Sequence, residues 1–436
     1  MVNHDEICAL SLCEASARVK LGSLTPVDLT QACLSRIDSL DHGYNSFLSV
    51  YREQALSTAE ELTRELEGRG WRGPLHGIPI ALKDLIDVAG FPTTAASELF
   101  LKNVAKSDAE VTRRLKAAGA VILGKTNLHE FAYGGSGMVS YFGVVRNPTN
   151  PQYITGGSSS GSAAAVAAGF CFAAIGTDTA GSIRLPAAYC GVVGLKPTYG
   201  LVSTSGVVPL SWSYDHVGPI TRTVEDASLV LQAIGDFKPQ EQKGDLRFGI
   251  ARNYFFNECD REIARAVEEV ATNLGWVEVA IPVAEDRTVS NAEAFAYHQQ
   301  FLACHPERYQ GETLRRIRSG ENIATAAYIQ KRCELDSIRR GAADLFREVD
   351  VIVAPTVPIP PSLIADLEAN PDQLRPRELL MLRNTRAFNV LGCPAISVPC
   401  GKTSAGLPIG IQLAAAPGRE DILINAARLV ENLTRV

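Results

Sequence analysis

Apolar residues recur at helical spacing early in the chain and condense into short runs further along. Leu29, Cys33, Leu34 and Ile37 follow Thr25-Pro26 and Asp28. That pattern predicts a helix with an N-cap, a proline at its first position and an acid in its first turn. Residues 51–67 carry mixed charges at helical spacing and predict a helix with an exposed face. His76-Gly77-Ile78-Pro79-Ile80-Ala81-Leu82-Lys83-Asp84 is a short apolar run closed by a lysine. Ser107 is expected to cap a helix through Lys116, Gly119 to end it, and residues 120–123 to form a buried strand. Residues 161–174 predict an alanine-rich helix that is apolar on most sides and therefore buried. Further strands are predicted at 247–251, 277–281, 349–353, 395–398 and 409–413, with a long helix over about 323–347. This alternation of helices and strands predicts an α/β fold. The polar stretch 238–245 is the only linker-like segment, and the strands after it read as more of the same sheet. One large α/β unit over residues 1–436 is therefore expected rather than three domains.

Composition narrows the partners. Of 436 residues, 42 are Lys or Arg and 48 are Asp or Glu, a net charge of −6. With no basic excess, no direct nucleic-acid partner is expected. The longest apolar or glycine run, Ala163 to Gly176, has 14 residues, short of the about 20 that span a bilayer, so no membrane role is expected. MVNHDEICAL has no basic segment ahead of an apolar stretch, so no signal peptide is expected. The 10 cysteines show no Cys-x-x-Cys pair and no zinc spacing, which predicts reduced thiols in a cytoplasmic protein.

Three stretches carry candidate chemistry. Gly156-Gly157-Ser158-Ser159-Ser160-Gly161-Ser162 leads directly into the apolar helix. Its backbone N–H groups can face a ligand with the positive end of the helix dipole behind them. No Gly-Lys-Ser/Thr follows, so a Walker-type loop is not supported. The same run matches Gly-x-Ser-x-Gly around Ser159, but Asn147-Pro148-Thr149-Asn150-Pro151-Gln152 before it cannot be a central strand, and the last histidine is His305. The second stretch runs from Gly176 to Pro186. It reads either as a tight turn closed by Asp178 or as an oxyanion hole beside a nucleophilic Ser182, since small residues at 180 and 181 let amides approach a substrate. The third is Lys83. At the end of a buried strand it would lose charge through burial and could act as a general base.

Together these stretches resemble the amidase signature family of serine hydrolases. The matching segments are Leu75–Asp84, Gly124–Phe131, Gly156–Ala168, Asp178–Thr198, Asp215–Pro219 and Pro394–Gly401, with the signature core at about 70–235. Ser158 and Ser182 stand 24 residues apart, the family's spacing. The resemblance implies a single amidase fold, a large twisted mixed β-sheet covered by helices on both faces. It also implies a catalytic triad of Lys83, Ser158 in a cis peptide and the nucleophile Ser182. The oxyanion would be held by the amides of Thr179, Ala180, Gly181 and Ser182, and substrate contacts are expected from Tyr133, Gly134, Ser159 and Arg184. The implied reaction is hydrolysis of a carboxylic amide to acid plus ammonia or amine through an acyl-enzyme. The resemblance implies no metal or organic cofactor and allows a homodimer. Ser160 and Ala180 stand where the commonest pattern has glycine, and Ala180 requires a negative φ or some strain.

The acyl pocket is expected from residues 131–138, Tyr189, 212–214 and 296–335. These hold aromatics and small residues more than charges, so a small aliphatic or aryl amide is expected. The alternative is the glutamine-hydrolysing component of a tRNA-dependent amidotransferase. It would need partner proteins and an arginine for the glutamine carboxylate, and the corresponding position falls near Leu335. A non-enzymatic assembly protein on the same fold is the reading from a different class, and the presence of Lys83, Ser158 and Ser182 argues against it.

Overall fold

The order of the strands in the main sheet explains where the site lies. The computed structural model describes residues 4–68, 70–240, 244–283 and 285–434. Its strands are β1 (Phe47–Val50), β2 (Pro79–Lys83), β3 (Val121–Thr126), β4 (Arg146–Asn147), β5 (Asn150–Ile154), β6 (Ala173–Asp178), β7 (Val193–Lys196), β8 (His216–Thr221), β9 (Phe248–Ala251), β10 (Trp276–Val279), β11 (Val351–Pro355), β12 (Ala395–Lys402) and β13 (Pro408–Ala415). Eleven of them form one sheet in the order β1-β3-β2-β6-β8-β7-β12-β13-β11-β9-β10. β2 lies parallel to both β3 and β6, and β9 parallel to β10 and β11, while the remaining pairs are antiparallel. The mixed sheet flanked by helices agrees with the α/β expectation.

β2, β3, β6 and β8 are buried at every position. Strands covered on both faces carry apolar runs without alternation, and here the polar residues fall at the strand ends. Thr25 caps the helix Pro26–Leu40 in a reciprocal capping box with Asp28. The helix predicted from Ser107 begins at Glu110 instead, with Ala109 at the cap position and no side-chain cap. The long helix near 323–347 spans Thr325–Gly341 and continues as a 3₁₀ turn, Ala342–Phe346.

The largest departure concerns 161–174. The helix covers Ser160–Ala167 and stops where Gly169 takes a left-handed φ of 73°, and residues from Ala173 onward form the central strand β6. A run apolar on every side carries neither a helical nor a strand period, so its division between the two was invisible in sequence. Part of the linker-like stretch, residues 241–243, lies outside the described residues. No helix among the described residues is long and apolar enough to cross a membrane.

Candidate active site

β2 and β6 are parallel neighbours, so their carboxyl ends open side by side. Lys83 is the last residue of β2, and Thr177 and Asp178 end β6. The Lys83 Nζ lies 2.7 Å from Ser158 Oγ and 2.7 Å from Thr177 Oγ1. Lys83 is fully buried. Burial pulls its pKa down to about 7, against the opposing charges of Asp215 and Asp178. Half of such lysines are neutral at pH 7, with a lone pair to accept a proton.

Ser158 arrives from the loop before the helix Ser160–Ala167, which packs on β2 and β6. Its peptide bond to Gly157 is cis. The His129 N–H donates to the Ser158 carbonyl at 3.1 Å, and the Ser159 N–H donates to the Ser182 carbonyl at 3.2 Å. This second bond ties the loop of Ser158 to the loop of Ser182. The Ser182 hydroxyl has no hydrogen-bond partner among the described residues and lines a cavity.

The loop from Asp178 to Ser182 is organised by the Asp178 carboxylate. It accepts from the amides of Gly181 at 2.7 Å and Ile183 at 3.2 Å, and from Asn389 Nδ2 at 2.8 Å. Arg184 grips it with two bonds of 3.0 Å. Burial alone would raise this carboxyl's pKa. The Arg184 charge and hydrogen bonds, helped by Lys196 and Asn389, hold it well below the usual carboxylate range. The turn is closed by Asp178, as the first of the two sequence readings expects. Gly181 leaves the expected oxyanion set, because its N–H is committed to Asp178 Oδ1. The amides of Thr179, Ala180 and Ser182 have no acceptor among the described residues. Gly181 is required here for another reason. Its φ is 133°, and a Cβ would sit 1.9 Å from Thr385 Oγ1. Ala180 has no positive φ, so its methyl is accommodated as anticipated.

Behind the loop, Asp215 accepts from Thr179 Oγ1 at 2.6 Å and from the amides of Leu210 and Ser211. Burial raises its pKa to about 6, with those hydrogen bonds opposing.

A family model described as Amidase matches residues 28–424. The chain belongs to the amidase family. It is an amide-hydrolysing enzyme. It is 37% identical to an amidase of Pseudomonas putida over 98% of this chain and 96% of that relative. It is also 36% identical to the A component of the glutamyl-tRNA(Gln) amidotransferase of Geobacter metallireducens, covering 98% of each. A crystal structure of an amidase superposes with a TM-score of 0.89 at 31% identity, over 98% of this chain and all of that one.

The amidase's cavity is narrow, about 50 Å³, and Ser182, Thr179 and Ala180 lie in its wall. Tyr133, Gly134 and Tyr214 line it too, as two of the expected substrate contacts and one expected pocket residue. Other sequence-based expectations fall elsewhere. Ser159 is buried with its hydroxyl bound to the backbone of Thr177 at 3.1 and 3.3 Å, and it does not line the cavity. Tyr189 is buried, donating to the Ile359 carbonyl, and Trp212 is exposed. Leu335 packs with Tyr214, Val289 and Val390. Segment 296–335 contributes nothing to the lining. Arg287, Ser290 and Asn291 do, together with Arg375, Leu382 and Arg386. The expectation of a pocket poor in charge is thereby overturned, because three guanidinium groups line it. No motif marked them in sequence.

Arg184 also stays out of the cavity. Its remaining donors reach the Thr385 carbonyl, Gln412 Oε1 and Asn389 Oδ1, all at 2.6–2.8 Å. Its task is to hold Asp178, and through Asp178 the amide loop. Arg184→Leu is expected to strand a buried carboxylate and cost about 3–5 kcal/mol of stability, read as a lowered midpoint of urea unfolding at unchanged slope. A midpoint within error of the parent would refute that role.

Proposed function

We propose that Ser182 is the nucleophile of this amidase, with Ser158 and Lys83 as its proton relay. The observation that carries the reading is the buried, 2.7 Å contact between Lys83 Nζ and Ser158 Oγ beside the loop that presents Ser182. A neutral amine at that distance can draw the Ser158 proton as Ser158 takes the proton of Ser182. Ser182 Oγ then forms a bond to the amide carbonyl carbon, and the carbonyl electron pair moves onto oxygen. The amides of Thr179, Ala180 and Ser182 receive that charge. As the C–N bond breaks, the proton on Lys83 returns through Ser158 to the leaving nitrogen, which departs as ammonia or amine. Water, deprotonated along the same relay, attacks the Ser182 ester. The acid leaves and Ser182 regains its proton.

A broad fluorophosphonate probe tests the nucleophile without knowledge of the substrate. One adduct, mapped to Ser182 and lost in Lys83→Ala, is expected. An adduct on Ser159, or none, would overturn the assignment.

The likeness to an amidotransferase component favours a second reading, a glutaminase that works with partner proteins. Measured glutaminase activity, alone and with candidate partners, separates the two.

A further inference from the structure

The inner cavity gathers three cations and no acid. Arg287 precedes the helix Thr288–Cys304, Arg375 lies on the helix Leu374–Met381 and Arg386 on the helix Arg383–Val390. All three line the cavity that Ser182 faces, and its lining contains no Asp or Glu. Arg386 donates to the carbonyl of Asp286. Arg375 stands 3.8 Å from Glu378, a carboxylate already held by Arg316 at 2.7 Å. The Arg287 guanidinium makes no hydrogen bond or ion pair with any described residue, while its carbonyl accepts from the Asn291 amide at 2.9 Å and from Ser290 Oγ at 3.1 Å. Burial, with the repulsion of Arg386 and Arg375, pulls its pKa down to about 10. A partly buried guanidinium beside two like charges is unfavourable unless an anion joins it.

The approach to the site has the same character. A wider outer cavity of about 590 Å³ shares Arg287 and Arg386 with the inner one and adds Arg377 and Arg383. Its acids are Glu258, paired with Arg383 at 2.9 Å, and Glu285. An anion entering through the outer cavity therefore meets Arg287 and Arg386, which line both cavities, and Arg375 in the inner one.

We propose that the substrate's acyl group carries its own carboxylate, bound by Arg287 with Arg375 and Arg386 beside it, while its amide faces Ser182. The proposal rests on Ser182 as the nucleophile. The planar guanidinium fork matches a carboxylate in two parallel hydrogen bonds, which makes it selective as well as attractive. At about 50 Å³ the inner cavity has room for roughly four water-sized groups. That size fits a short half-amide of a dicarboxylic acid. Glutamine fits less well, since no acid in the lining answers its ammonium group.

The test is calorimetric binding to Ser182→Ala, which holds the amide without turning it over. Malonamate, succinamate, glutaramate and adipamate are each compared with the neutral amide of equal length. At one length or more the half-amide is expected to bind about 30-fold tighter than its neutral partner, as charge-assisted pairing in a partly buried site provides. Added salt should narrow that gap. Adding Arg287→Gln should reduce it to about 3-fold or less, and Arg287→Lys should keep part of it. Because the Arg287 guanidinium has no hydrogen-bond or ion-pair partner among the described residues, its replacement leaves none of their buried acids unpaired. Arg287→Met, checked by its melting curve, serves as the second variant. Equal binding of neutral amides at every length, no binding by any half-amide, or a preference that survives loss of Arg287 would each overturn the proposal. Failure of the nucleophile assignment would show separately, as a parent enzyme without a Ser182 adduct.

Discussion

Ser182→Ala is expected to lower kcat by roughly 10⁴–10⁶-fold, the range for removing an acyl-forming serine whose oxyanion site survives. The folded protein should scarcely notice. The Ser182 hydroxyl bonds to nothing among the described residues, and the carbonyl that accepts from the Ser159 amide is backbone, so it remains in the alanine variant. The cavity amides of Thr179, Ala180 and Ser182 also persist. Residual hydrolysis above the uncatalysed rate should therefore remain, carried by binding and by those donors. Ammonia release measured alongside thermal unfolding checks both halves. A variant that melts with its parent but keeps more than a tenth of kcat would exclude Ser182 as the nucleophile.

Lys83 gives the second large effect, with a defined pH signature. As a base the lysine works only when neutral, and burial places its pKa near 7. The logarithm of kcat/KM should therefore rise with pH at unit slope below about 7 and flatten above it. Lys83→Met removes the proton acceptor and should cost about 10³-fold or more. Lys83→Arg should not rescue it, because a guanidinium stays protonated throughout this range. The sign of the neighbouring charge offers a further check. Asp215, when ionised, favours the ammonium form of Lys83 and so raises its pKa. Asp215→Asn should move the acid limb to lower pH. Movement to higher pH, or a flat profile, would show that the limb belongs to another group.

The chemistry-bearing residues were legible because each sits in a local pattern. Lys83 closes an apolar run, Ser158 sits in a glycine–serine loop leading into a buried helix, and Ser182 follows small residues in a turn. The resemblance assembled them from segments spread over most of the chain. Less local features escaped. The strand β6 hides in a run that is apolar on both sides of Gly169, so no period separated helix from strand. Arg184 was read as a substrate contact, since an arginine two residues beyond Ser182 gives no hint that Asp178 lies behind it. Gly181 was read as an oxyanion donor for a similar reason: its amide is spent on a carboxylate whose orientation depends on Arg184 and Asn389.

The sequence by itself determined the α/β alternation, the family and the three residues proposed to do the chemistry, because those depend on short-range spacing and on residue type. The tertiary structure alone decided what surrounds them. The sheet order sets the ends of β2 and β6 side by side and brings Lys83 to Thr177. The packing of helices far apart in the chain brings Arg287, Arg375 and Arg386 to one narrow cavity. A hydrogen bond or a shared electrostatic field depends on distance in space, and for residues about a hundred positions apart no pattern along the chain encodes it.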